Sequence, residues 1–244
     1  MKTAFVLTVK NLSKTYGEYK AVHPLTFCIR PGEIHGLLGP NGAGKTTTIK
    51  MIIGVLEKTS GDIEINGISL QEEPVRAKRN VFYVPDHPVL FEKMTGKDFL
   101  SFMADLYGVD YCSSLVEIES VINRFQLTPH LAKSIGEMSL GTRQKLLLTA
   151  GLMVRAPLLI LDEPIVGLDP ESILYFKECL REYAQQGGAV LFSTHLLFMA
   201  QELCTHLVVM KQGTMIAAGP ASELISKQNQ NLEQVFMEMI AHGE

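Results

Sequence analysis

Apolar and polar positions alternate or cluster in short runs along the first third of the chain. Residues 5–10 and 25–30 read as strands with a turn near Tyr16-Gly17-Glu18, which predicts an antiparallel sheet over residues 1–30. After the Pro31-Gly32 turn, residues 33–38 read as a buried strand and residues 46–53 as a helix ending near Gly54. Residues 63–67 alternate as an edge strand does and close in an Asn-Gly turn. Residues 80–84 form a short apolar strand that stops at Pro85-Asp86-His87-Pro88, where two prolines mark a loop.

From residue 95 to about 153 the apolar spacing becomes helical. Phe99, Leu100, Phe102, Met103 and Leu106 share one stretch, and Val116, Val121, Ile122 and Phe125 share another over residues 115–125. A third covers 140–154, behind a Ser139 suited to capping it. Helices grouped without an intervening strand predict a helical subdomain, near 87–154, inserted into an α/β core. Leu158-Leu159-Ile160-Leu161 is then a continuous apolar run, as central parallel strands are. Pro170 opens a helix to about Ala184, residues 188–192 form another buried strand, and after a helix a strand at 206–210 and a hairpin strand at 214–218 close the core. The residues from Pro220 onward read as a helical tail, with an amphipathic stretch at 231–240, so the domain division is 1–219 and 220–244.

Composition narrows the setting. The 244 residues suit one large domain, 46% apolar and 20% charged, with a net charge of −4 that offers no overall basic field to nucleic acid. The four cysteines, Cys28, Cys112, Cys179 and Cys204, are far apart and read as buried thiols in a reducing compartment. No apolar run approaches a membrane span, so the expectation is a cytosolic protein that reaches a membrane only by docking on a partner.

Chemistry concentrates where strands end. Gly39-Pro40-Asn41-Gly42-Ala43-Gly44-Lys45-Thr46-Thr47 sits between a strand and a helix and fits the phosphate-cradling loop. Its glycines let backbone N–H groups face phosphate oxygens, and the helix adds unpaired donors and its positive dipole end. Lys45 supplies a mobile charge for the terminal phosphates and Thr46 a hydroxyl for Mg²⁺. Asp162, directly after four apolar residues, suits a Mg²⁺ acid, and the adjacent Glu163 can polarise a water for in-line attack on a γ-phosphate. His195 also follows an apolar strand, placed to contact the γ-phosphate or simply to cap a helix. Tyr16 suits either a turn aromatic half-packed on the sheet or a stacking face for a nucleotide base.

The order of phosphate loop, helical insert, Met138-Ser139-Leu140-Gly141-Thr142-Arg143-Gln144-Lys145, Leu158–Pro164, Gly167-Leu168-Asp169 and His195 resembles the nucleotide-binding subunit of ABC transporters over almost the whole chain. The resemblance implies a phosphate-loop NTPase (RecA-like) core with an N-terminal antiparallel β part, acting as an ATPase with ATP and Mg²⁺. It implies Tyr16 as the base-stacking aromatic, Glu163 as catalytic base, Asp162 on the metal, His195 as the switch histidine, and Asp169 in the loop crossing a dimer interface. Ser139 and Gly141 belong to the signature segment, whose helix end caps the γ-phosphate held by the opposite subunit. Leu140 and Thr142 depart from the usual Leu-Ser-Gly-Gly-Gln, and Asp86 stands where the family generally has Gln, or Glu in some exporters, as metal and water contact. The partners implied are a second ATPase subunit, identical or similar, and membrane permease subunits docking near residues 86–107, with the chain peripheral on the cytoplasmic face. The Leu140 variant and Leu232-Glu233-Gln234-Val235-Phe236 resemble single-cassette ABC-2-type exporters. Two other readings use the same module: a soluble ATPase acting on nucleic acid or ribosomes, and a low-turnover cassette in a heterodimer.

Overall fold

The computed structural model describes residues 4–226, and the amphipathic stretch expected at 231–240 lies outside them. The elements run β1 (Leu7–Tyr16), β2 (Tyr19–Ile29), β3 (Ile34–Leu38), α1 (Lys45–Ile52), β4 (Ser60–Ile65), β5 (Ile68–Ser69), α2 (Pro74–Lys78) and β6 (Val81–Val84). The helical stretch holds α3 (Gly96–Tyr107), α4 (Tyr111–Glu117), α5 (Glu119–Arg124) and α6 (Leu140–Val154), with two short 3₁₀ turns before α6. Then come β7 (Leu158–Asp162), α7 (Pro170–Gln185), β8 (Ala189–Thr194), α8 (Leu197–Leu203), β9 (His206–Lys211), β10 (Thr214–Pro220) and α9 (Ala221–Ser226).

These strands make two sheets. One is antiparallel, in the order β2-β1-β4-β5. The other follows β10-β9-β3-β8-β7-β6, parallel from β9 to β6, with β10 antiparallel at the edge. Alternation divides the parallel strands between two cores. Leu158, Ile160, Ala189 and Leu191 face α1 and the antiparallel sheet, where they meet Leu7, Ile29, Ile49 and Ile52. Leu159, Leu161, Val190 and Phe192 point the other way, onto α6 and α7. β7 and β8 are therefore buried on both faces, which is why they read as unbroken apolar runs.

Four expectations needed correction, one of them the burial of the cysteines, since Cys179 is buried but Cys112 is exposed and Cys28 and Cys204 lie in between. The first strand does not stop near residue 10 but continues to Tyr16, because a bulge between Val9 and Leu12, with Asn11 at φ 47°, resets the alternation. Tyr16 thus ends a strand and pairs with Tyr19 across a two-residue turn, rather than lying in a linker. The helix expected at 115–125 is broken at Ile118, which buries its side chain while Val116 stays 74% exposed, so the apolar positions do not share one face. The short α2, opened by Pro74, had no periodicity long enough to predict it.

Between β6 and β7 the chain forms helices and loops, with an isolated bridge from Thr95 to Ser134. All the parallel strands deliver their carboxyl ends to one edge, where ligands of such sheets sit.

Candidate functional site at the carboxyl edge of the parallel sheet

The loop after β3 wraps to the start of α1, where Gly44 caps the helix at φ 97°, a left-handed conformation that suits glycine. Helix α1 then presents unpaired N–H groups and the positive end of its dipole at the loop. Lys45, only 6% exposed, folds back so that Nζ donates to the carbonyls of Gly39 at 2.8 Å and Pro40 at 3.1 Å. Its pKa is lowered by burial, against the opposing pull of Glu163, whose Oε1 stands 3.5 Å from Nζ.

Asp162 ends β7 with no exposed surface. Its Oδ1 accepts from Thr46 Oγ1 at 3.2 Å and from Ser193 Oγ, while Oδ2 is buried without a hydrogen-bond partner. Burial raises its pKa, partly countered by those two hydroxyls, and the charges of Asp86 and Glu163 add to the rise. Glu163 sits at φ 46°, unusual for a side chain of its size, and its N–H donates to Ser193 Oγ at 3.0 Å. Its Oε2 is 3.0 Å from His195 Nδ1, and its Oε1 is a second buried carboxylate oxygen without a hydrogen bond.

A cavity of about 400 Å³ lies over this edge, lined by residues 41–47, Tyr16, Tyr19, Ala21, Asp86 and Glu163. Tyr16 is 49% exposed there, with Lys14 Nζ 4.9 Å from its ring centroid. Asp86 accepts from His87 N–H at 2.9 Å and pairs with the His87 ring at the same distance. The fold therefore gathers Tyr16, the phosphate loop, Asp86, Asp162, Glu163 and His195 around one edge.

Ser139, Gly141 and Asp169 form a separate group. Ser139 caps α6 by accepting from Thr142 N–H, and its hydroxyl lies 2.9 Å from that of Thr142. At Gly141 a methyl group would come within 2.2 Å of the Gly167 carbonyl, so the helix start and the Gly167 loop touch backbone to backbone. Asp169 caps α7 and also accepts from Lys145 Nζ at 2.6 Å. The two groups are joined by Gln144, fully buried, whose Nε2 donates to Pro164 O at 3.3 Å.

Sequence reasoning gave no role to Ser193, Tyr19, Gln144 or Lys145. Ser193 carried one usable signal, a polar residue inside the apolar β8 run, but its partners are fixed only by the β7–β8 register, which sets Asp162 beside Ser193. Tyr19 is found only once the hairpin is known to pair it with Tyr16.

The chain resembles known proteins along nearly all its length. Residues 22–166 match the family model described as ABC transporter. The putative ABC transporter ATP-binding protein AlbC of Bacillus subtilis (strain 168) is 38% identical over 219 residues, covering 88% of this chain and 89% of its own. The linearmycin resistance ATP-binding protein LnrL of the same organism is 33% identical over 222 residues, covering 91% and 71%. A solved ATP-binding subunit of an ABC transporter superposes with a TM-score of 0.91 at 33% identity, covering 96% of this chain and 99% of that one. With the family model spanning more than half of the chain and these relatives matched over most of theirs, the chain belongs to the ABC transporter family as an ATP-binding subunit, an ATPase.

Proposed function

We propose that this subunit powers an exporter of the ABC-2 type, with Glu163 as general base, Lys45 on the terminal phosphates and His195 on the γ-phosphate. The observation that carries the residue roles is the convergence of Lys45, Thr46, Asp162, Glu163 and His195 at one edge, with a buried oxygen of each acid free of hydrogen bonds. The exporter reading is supported by the likeness to a resistance ATP-binding protein and by the Leu140 signature variant.

The residues fit Mg²⁺. Asp162 Oδ2 is a hard oxygen donor without a partner, beside the Thr46 hydroxyl, and Asp86 lines the same cavity from the side. Thr46 and Asp162 would hold the ion, and Asp86 would approach it through water. Bound there, Mg²⁺ supplies charge that offsets the phosphate oxygens.

The chain's own groups do the rest. Lys45 leaves its carbonyl contacts and the Glu163 ion pair for phosphate oxygens as ATP enters, since a dianionic phosphate attracts it more strongly than neutral carbonyls do. Glu163, so released, takes a proton from the water whose oxygen bonds to the γ-phosphorus while the bond to ADP breaks. His195 keeps the carboxylate aligned through Nδ1. Tyr16 stacks on the base, and residues 39–47 cradle the phosphates. Ser139 and Gly141, on a helix start away from this cavity, serve the site of a second ATPase subunit, with Asp169 at the same junction. The ATPase body is 1–219 with its helical part near 87–154, placed on the cytoplasmic face by permease subunits that dock near 86–107.

The deciding experiment is Glu163→Gln. Turnover should fall about 10²–10⁴-fold while ATP binding persists, and ATP should hold the variant as a dimer in light scattering. Hydrolysis at the parent rate would remove Glu163 as the base. Recovery of the parent subunit from solubilised membranes without permease subunits would remove the exporter reading.

A further inference from the structure

We propose that Glu33, His35 and His206 form a binding site for a divalent transition cation of the Zn²⁺ class, at the sheet edge opposite the phosphate loop. His35 and His206 are register partners on the neighbouring parallel strands β3 and β9, near their amino ends, and Glu33 immediately precedes β3. One ligand atom from each of the three lies within 4.8 Å of the others.

The chemistry of the donors is right. Glu33 Oε2 is 2.9 Å from His35 Nε2 and also accepts from the Arg30 N–H at 2.8 Å, so the carboxylate is already held against the imidazole. His35 is 5% exposed, and its Nδ1 is buried without a hydrogen-bond partner. The Thr205 hydroxyl fixes the other ring. Its single proton goes to Ile34 O at 3.0 Å and it accepts from Ile34 N–H, so at 3.1 Å His206 Nδ1 acts as the donor to it. In the neutral ring the lone pair then falls on Nε2, the tautomer a metal-binding histidine needs, with an outer partner on its other nitrogen. Two imidazoles and one carboxylate select zinc, cobalt, nickel or copper over magnesium.

Two features oppose binding, and both leave a mark an experiment can read. The Arg30 guanidinium lies 3.6 Å from Glu33 Oε1, but it is largely exposed and its charge is screened. The rings are stacked, with centroids 4.7 Å apart and planes at 13°, so they cannot both lie in plane with one ion. Ligands of a tetrahedral zinc stand about 3.3 Å apart, so the cation must draw His206, partly exposed at the first residue of β9, out of the stack.

The test uses the full chain in excess Mg²⁺, which occupies the oxygen site at the phosphate loop. Co²⁺ is titrated as the spectroscopic probe and Zn²⁺ followed by thermal unfolding. Expected are one bound Co²⁺ with the visible band of a nitrogen-ligated tetrahedral ion, and a Tm rise of about 5 °C when Zn²⁺ is 100-fold above Kd. His206→Gln should weaken Co²⁺ binding at least ~10-fold, while His130→Gln, on the helical insert, should not. Glu33→Gln should lower affinity likewise and stands in should His206→Gln fail to fold. No saturable Co²⁺ binding by the parent below about 1 mM, or less than a tenfold loss in the variant tested, overturns the site.

Discussion

Ser193 shows how much of a candidate site can rest on one hydroxyl. Its proton goes to Asp162 Oδ1, and its oxygen takes the N–H of Glu163, so it holds both acids at once, one by side chain and one by backbone. Glu163 needs that hold, because a residue at φ 46° keeps an unfavourable conformation only where its surroundings fix it. Ser193→Ala should therefore cost about 1–3 kcal/mol, measured by denaturant unfolding, since a buried N–H is left without an acceptor. ATPase turnover should fall with it, while Ser193→Thr, which retains the hydroxyl, restores both. A variant as stable and active as the parent would mean that the Glu163 backbone is fixed by something else. The acids themselves were legible in the sequence because each follows an apolar run that ends at the sheet edge. Ser193 was not, because its partners lie 31 and 30 residues away and meet it only through strand register.

At the scale of elements, α6 and α7 are joined at their starts. Lys145, 13% exposed, reaches from the second turn of α6 to Asp169, the N-cap of α7, which also accepts from the Ser172 N–H and hydroxyl. Lys145 first, and then Ser172, hold the Asp169 carboxyl well below the usual range. A depressed acid adds stability that is present above its unfolded pKa, near 3.9, and is lost as pH falls through the lower folded value. Asp169 is half exposed, so solvent screens the pair and its contribution is at most about 1 kcal/mol. Lys145→Met should lower stability by up to that amount at pH 7, and the gap to the parent should close as pH falls below about 4. A gap that persists unchanged into acid would place the loss in packing instead. The Ser139 and Pro170 signals made both helix starts readable from local sequence, whereas the bridge between them spans 24 residues and needed the fold. The same contrast explains the insert: α3 is long and periodic and α6 is long and apolar on nearly every side, while the break at Ile118 follows from which side chains the neighbouring helices can bury.

Across the whole molecule, the two edges of the parallel sheet differ in character, and a third surface differs from both. The phosphate loop, Asp86 and Glu163 gather at the carboxyl edge, and the imidazole pair lies at the other. Beyond Asp86 stands an apolar surface in which Val89 is 93% exposed, Phe91 59% and Leu106 57%, with Phe102 packed edge-to-face on Phe91 at 5.7 Å. A cluster of large apolar side chains left in water next to the cavity has the character of an association surface. Among the described residues no helix is long and apolar enough to cross a membrane, and this surface adjoins Asp86, which lines the cavity. Replacing Phe91 and Phe102 together by serine removes exposed aromatic area while leaving the phosphate loop untouched. Stability should change by no more than about 1 kcal/mol, and ATP binding by the isolated subunit should stay as it was. Recovery with permease subunits from detergent-solubilised membranes should fall sharply, because exposed aromatics supply much of the energy of such contacts. Should the double variant still co-purify at the parent level, docking does not run through residues 86–107, and the route from ATP to the membrane must leave the subunit by another face.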